Sequence, residues 1–180
     1  MNRRMTINEI QDNIIEEFSV FDDWMDKYNL LIEMGKELSL IDPKFKVKDY
    51  LIEGCQSKVW LYPHYDGKEV TFTADSDAII TRGIVALLIK VLSGRTPEEI
   101  IQADLYFIDK IGLKQNLSPT RSNGLLSMLR QMKLYAMAFG AQGSGGRAQG
   151  TGHRAQGEER HAASGMRHAA KDEERGRLRD

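Results

Sequence analysis

The sequence predicts an α+β fold: a small antiparallel sheet of about three strands packed by helices, followed by a disordered tail. Three observations predict it. Apolar residues at helical spacing fill both flanks of the first 140 or so residues, and short β-like runs cluster between those flanks. The strand–helix–strand alternation of a parallel sheet is missing. The composition then changes abruptly after Phe139: residues 143–180 hold 8 of the 16 glycines and no Ile, Val, Phe, Tyr or Trp, too little apolar surface to offset the entropy of ordering them.

The elements follow in order. Thr6-Ile7-Asn8-Glu9 has the form of a capping box, and Ile7, Ile10, Ile14 and Phe18 then make one apolar helical stripe. A second helix is expected from about Phe21 or Asp22 to Leu38, with Trp24, Tyr28, Leu31 and Leu38 inward, and Pro43 ends any helical continuation. A strand is expected from about Val47 to Ile52, a second over Val59 to Tyr62, and a third over Glu69 to Thr73, where polar and apolar residues alternate. Asp66-Gly67 between the last two is a hairpin signal. Asp75-Ser76-Asp77 is expected to cap a very apolar helix to about Leu92, which Gly94 stops. Thr96-Pro97-Glu98-Glu99 opens a short helix with a hydroxyl cap, Pro at the first position and acids in the first turn. A further short helix is expected near Phe107 to Ile111. Ser118-Pro119 opens the last long one, to about Phe139, with Leu125, Met128, Leu129, Met132 and Tyr135 on one side.

The boundaries follow from composition: one domain over residues 1–142 and a low-complexity tail over 143–180. The tail carries eight Lys+Arg against six Asp+Glu, while the domain is acidic, 17 against 20. His153, His161 and His168 lie in the tail without thiolate or organised carboxylate partners, so a solvated segment is expected there rather than a metal site. A whole-chain charge of −1 argues against general capture of nucleic acid. With no apolar run of roughly 18 residues and no signal-peptide core, no membrane association and a cytoplasmic location are expected.

The chain has one cysteine, Cys55, which forbids an intrachain disulfide, a four-cysteine metal site and a second thiol to resolve a mixed disulfide. It lies in Gly54-Cys55-Gln56-Ser57 between two expected strands, where Gly54 permits a sharp turn. His64, the one histidine outside the tail, would sit roughly 16 Å along the next strand, too far to activate the thiol as a general base. A thiol that acts alone can still accept a sulfur atom as a persulfide and pass it on. The other readings are a redox sensor cycling through sulfenic acid and an interaction module whose cysteine is an inert apolar residue.

Gly54-Cys55-Gln56-Ser57-Lys58-Val59-Trp60 resembles the GCQSxVW signature of the SufE/CsdE family of sulfur acceptors. Three more blocks resemble the family in order: Trp24 and Tyr28 with Ile32-Glu33-Met34-Gly35, Asp75-Ser76-Asp77-Ala78 through Gly83-Ile84-Val85-Ala86, and Leu117-Ser118-Pro119-Thr120-Arg121-Ser122-Asn123-Gly124-Leu125. Thr120 and Lys58 depart from the commoner Ser and Gln. The resemblance implies a compact α+β domain shared with IscU-type scaffolds. It implies that Cys55 takes sulfur from a pyridoxal-phosphate cysteine desulfurase of SufS or CsdA type and delivers it to a SufBCD-type scaffold. The chain would then be a carrier and activator, not an independent enzyme, with no cofactor of its own. Gly54, Gln56, Ser57, Asp75 and Arg121 would support the cysteine: the Asp75 block beside its loop, and Arg121 pairing with Asp75 or lowering the thiol pKa. Cys55 would rest turned inward, its loop everting on partner binding. The oligomeric state is left open, a homodimer included.

Overall fold

The structure is a computed structural model, and it describes residues 3–144. Of the tail expected over 143–180, Gly143 and Ser144 are described and end the last helix, while the rest, its histidines included, lies outside the described residues. Among the described residues the α-helices and strands are, in chain order, α1 (Ile7–Ser19), α2 (Trp24–Lys36), β1 (Val59–Tyr65), β2 (Val70–Ser76), α3 (Ile79–Leu92), α4 (Pro97–Gln102), α5 (Phe107–Lys110), α6 (Leu113–Asn116) and α7 (Pro119–Ser144).

The local chemistry at several helix starts acts as the sequence predicts. Thr6 accepts from the Glu9 N–H while the Glu9 carboxylate accepts from the Thr6 N–H, and Thr96 and Glu99 repeat this reciprocal cap at α4, with Pro97 at the first position. The hairpin also forms, with Val59 opposite Ser76 and Tyr65 opposite Val70. Its loop is four residues long, because the Asp66 carboxylate accepts from both Lys68 N (2.8 Å) and Glu69 N (2.7 Å).

Every second residue of the hairpin faces α3: Val59, Leu61, Val70, Phe72 and Ala74 are buried. Nine of the fourteen residues of α3 are buried, which is why its sequence is apolar nearly all round. α1, α2 and α7 surround α3, and α2 lies closest: a Cβ placed on Gly83 would come 2.3 Å from the Leu31 carbonyl oxygen. Buried Gln11 fastens α1 across the core, donating to Asp104 O (2.9 Å) and accepting from Phe107 N (3.2 Å).

Three expectations need correction. The strand expected over Val47 to Ile52 is absent, and the described sheet has two strands. The segment makes 3-10 turns at Pro43–Phe45 and Lys48–Tyr50 and touches the sheet through one bridge, Leu51 to Trp60. The turns put Phe45 and Tyr50 over the outer face of β1, where the Phe45 and Tyr62 rings stack at 3.8 Å and Tyr50 meets Tyr62 edge-on. Pro43 therefore starts a helical turn instead of ending one, with Asp42 accepting from Lys44 N. Lastly, Asp75 and Ser76 belong to β2, and α3 begins at Ile79 with no side-chain cap.

Candidate functional site

Cys55 sits in a loop whose two ends are tied together. Ile52 N donates to Val59 O (2.8 Å) at its neck. Lys58, the last loop residue, is held from both sides: its N–H donates to Asp77 Oδ1 (3.0 Å), and its carbonyl accepts from Asp77 N (3.2 Å) and Ser76 Oγ (2.8 Å). The Asp75-Ser76-Asp77 block thus holds the end of the cysteine loop through Ser76 and Asp77. The expected neighbourhood of block and loop is present, with a different division of labour.

Gly54 turns the chain at φ +85°, a conformation that costs an L-residue roughly 1 kcal/mol or more. That turn sends the Cys55 side chain inward, against α7, where Sγ lies 3.7 Å from the Gly124 carbonyl oxygen. The thiol faces a small crevice. Thr120, Arg121, Gly124 and Met128 of α7 form one wall, Thr81 and Ile84 of α3 the other, and Gln56 and Ser57 the rim. Its free volume is about 10 Å³, room for about one water. Ser57 accepts a long hydrogen bond from Thr81 (3.5 Å), joining the rim to α3.

Burial pushes the Cys55 thiol up to about 11 from its ordinary 9.0. The thiolate is the nucleophile, so the inward position holds the sulfur in its unreactive form. A measurable result follows for this single-cysteine chain. Exchange with the neutral disulfide 2,2′-dipyridyl disulfide should titrate near 11 in the native protein and near 9 in urea. At pH 7.5 unfolding raises the thiolate fraction about a hundredfold, but the less basic thiolate is about tenfold less nucleophilic, so exchange should speed up about tenfold. A native profile already centred at 9 would contradict the inward placement.

Arg121 lines the crevice, yet it neither pairs with Asp75 nor lowers the thiol pKa. The Asp75 carboxylate is taken by Lys46 (2.8 Å) and Arg82 (2.9 Å), and desolvation alone accounts for the shift at Cys55. The sequence reading missed Lys46 and Arg82 because neither spacing nor motif says which cations a fold brings to a carboxylate. Burial raises the Asp75 pKa, but the Lys46 hydrogen bond, the Ser76 N–H and the two cations outweigh it and leave the carboxyl below its usual range. Lys46 also lies 4.7 Å over the ring of Trp60, whose residue is the cross-strand partner of Asp75. Asp75 therefore braces the hairpin and the start of α3, one layer behind the crevice. His64 is exposed at the far end of β1, as its spacing implied. Among the described residues no group of three or more His, Cys, Asp or Glu could hold a metal ion.

The cysteine, its loop and the residues of α3 and α7 that wall the crevice all lie within residues 12–136, the stretch matched by the family model "SufE: Fe-S metabolism associated domain". The chain belongs to the SufE family. A SufE-like protein of Rhizobium meliloti is 40% identical over 127 residues, covering 68% of this chain and 91% of that one. Another, from Synechocystis, is 35% identical, covering 70% and 79%. SufE-like protein 1 of Arabidopsis thaliana, named chloroplastic/mitochondrial, is 42% identical, and the match spans 65% of this chain but 32% of that longer one. In fold, this SufE chain is similar to a solution structure of a hypothetical protein from Thermus thermophilus, with a TM-score of 0.62 at 19% identity, covering 73% of this chain and 96% of the other. The α+β expectation is borne out. No helix among the described residues is long and apolar enough to cross a membrane.

Proposed function

We propose that the chain accepts sulfur on Cys55 from a pyridoxal-phosphate cysteine desulfurase of SufS or CsdA type, stimulates that enzyme, and hands the sulfur to a SufBCD-type scaffold for iron–sulfur cluster assembly. The observation that supports it is a single thiol on a glycine turn, held by a tied loop over a crevice, in a chain of a family associated with Fe–S metabolism. The Cys55 thiolate attacks the outer sulfur of the desulfurase persulfide. A new S–S bond forms on Cys55 as the old one breaks, and the desulfurase cysteine leaves as thiolate, so no external oxidant or reductant is consumed. The pyridoxal phosphate belongs to the desulfurase. The acceptor domain is residues 1–142, residues 143–180 are an appendage to it, and the site of action is the cytoplasm.

The raised thiol pKa gives the loop its task. A half-buried, protonated thiol is partly shielded from adventitious oxidation and is a poor nucleophile, so the loop must turn out when the desulfurase binds. Desulfurase turnover, read as alanine formed from cysteine, should rise severalfold on adding the chain and stay at its basal rate with Cys55→Ser. Equal stimulation by wild type and Cys55→Ser would remove the acceptor role.

A further inference from the structure

The long helix α7 contains a glycine that its own backbone does not need. Gly124 is buried inside the helix and is not among the positive-φ glycines, so no turn requires it there. A glycine in a helix interior costs roughly 1 kcal/mol against alanine, so a packing reason is expected. The reason lies across the crevice. A Cβ built on Gly124 would have Cys55 Sγ at 3.4 Å, Cys55 Cβ at 3.8 Å and Cys55 Cα at 3.9 Å as its three nearest atoms. A methyl would make bare contact, and the γ-carbons of a larger side chain would enter the space the thiol occupies. The helix would not yield in their place, since Leu125, Met128 and Met132 anchor it in the core.

We propose that Gly124 is a positioning residue for Cys55: its bare backbone forms the seat, and its carbonyl the acceptor for S–H, that keep the thiol turned inward until a partner draws the loop out. The seat selects the protonation state as well as the position. A thiol donates weakly to the helix carbonyl, whereas a thiolate would present its charge to the carbonyl oxygen. Of the residues around the crevice only Cys55 and Arg121 are ionisable, so the charged group facing the thiol from α7 is Arg121, and α3 offers none there. The inference deepens the acceptor reading by assigning control of the acceptor thiol to α7.

The test is disulfide exchange of the full chain with 2,2′-dipyridyl disulfide across pH, comparing wild type with Gly124→Ala and Gly124→Val. Valine should move the apparent pKa from about 11 toward 9 and speed exchange about tenfold at pH 7.5, with alanine between. Circular dichroism shows whether each variant is folded, and if valine unfolds the chain, alanine decides by the same two readouts. Folded variants with the wild-type profile would overturn the seat. Gly54→Ala gives an independent check, because it strains the inward turn from the loop side and should shift the profile in the same direction. The assay contains no desulfurase, so folded variants that keep the wild-type profile remove the seat and leave the acceptor reading standing. A wild-type chain that takes no sulfur from a desulfurase removes the acceptor reading alone.

Discussion

Gly83→Ala is expected to be among the most destabilising single-methyl changes in the domain. The added carbon would sit 2.3 Å from the Leu31 carbonyl oxygen and 2.8 Å from the Leu31 carbonyl carbon, both backbone atoms of α2. A flexible side chain could swing away; a helix backbone must shift as a whole. Overpacking of this kind costs about 3 kcal/mol or more, and the helix-propensity gain of alanine over glycine returns only about 1. A net loss of at least about 2 kcal/mol should lower the thermal midpoint by roughly 8 °C in a domain of this size. Gly35 faces the same crossing, but its Cβ would lie 2.9 Å from Gly83 N, so Gly35→Ala should cost less. Thermal or urea unfolding of both variants beside wild type checks the order. Thr81 and Ile84 flank Gly83 on α3 and line the cysteine crevice, so a displaced α3 should also alter the exchange rate at Cys55. A Gly83→Ala midpoint within a degree of wild type would refute the close crossing.

Asp75→Asn is expected to cost about 2 kcal/mol at pH 7. The carboxylate side chain is 13% exposed and faces two cations, and the substitution leaves Lys46 and Arg82 with no countercharge there. Arg82 is already constrained: its Nη2 donates to Ser76 O (3.0 Å), and its buried Nε has no hydrogen-bond partner. The pH dependence has a definite sign. The folded-state pKa lies below the unfolded value of about 3.8, so the contribution is complete above that value and disappears as pH falls through the lower folded value. The gap in urea stability between wild type and Asp75→Asn should therefore be widest near pH 7 and close progressively below about pH 4. A gap that stayed constant down to pH 2 would show that shape, not charge, is what Asp75 supplies.

How much was legible in the sequence depends on the range of the interactions that decide each feature. Helix starts closed by residues three apart, Thr6 with Glu9 and Thr96 with Glu99, could be read directly. So could the hairpin and the buried stripe of α7. The segment from Val47 to Ile52 could not, because its conformation is decided by Phe45 and Tyr50 reaching across to Tyr62. The candidate site divides in the same way. Cys55 and its glycine turn are local and were named from the sequence. The partners of Asp75 are set by tertiary approach: Arg121 belonged to the same family resemblance, but Arg82, seven residues on and around the start of α3, is the guanidinium that arrives. Gly83 and Gly124 carried a usable signal, glycines inside strongly helical runs, but only the structure shows that one admits a helix and the other a thiol.

The central claim, that Cys55 accepts persulfide sulfur, is tested most directly by intact mass after incubation with an active SufS-type desulfurase and cysteine. The acceptor reading predicts a gain of one sulfur atom, about 32 Da, that reductant removes and Cys55→Ser abolishes. Reductant is essential to the reading, because oxidation to sulfinic acid adds two oxygens, also about 32 Da, and is not reversed by thiols. A wild-type chain that gains nothing reducible while the desulfurase turns over would contradict the account and leave Cys55 a packed residue at the foot of α7.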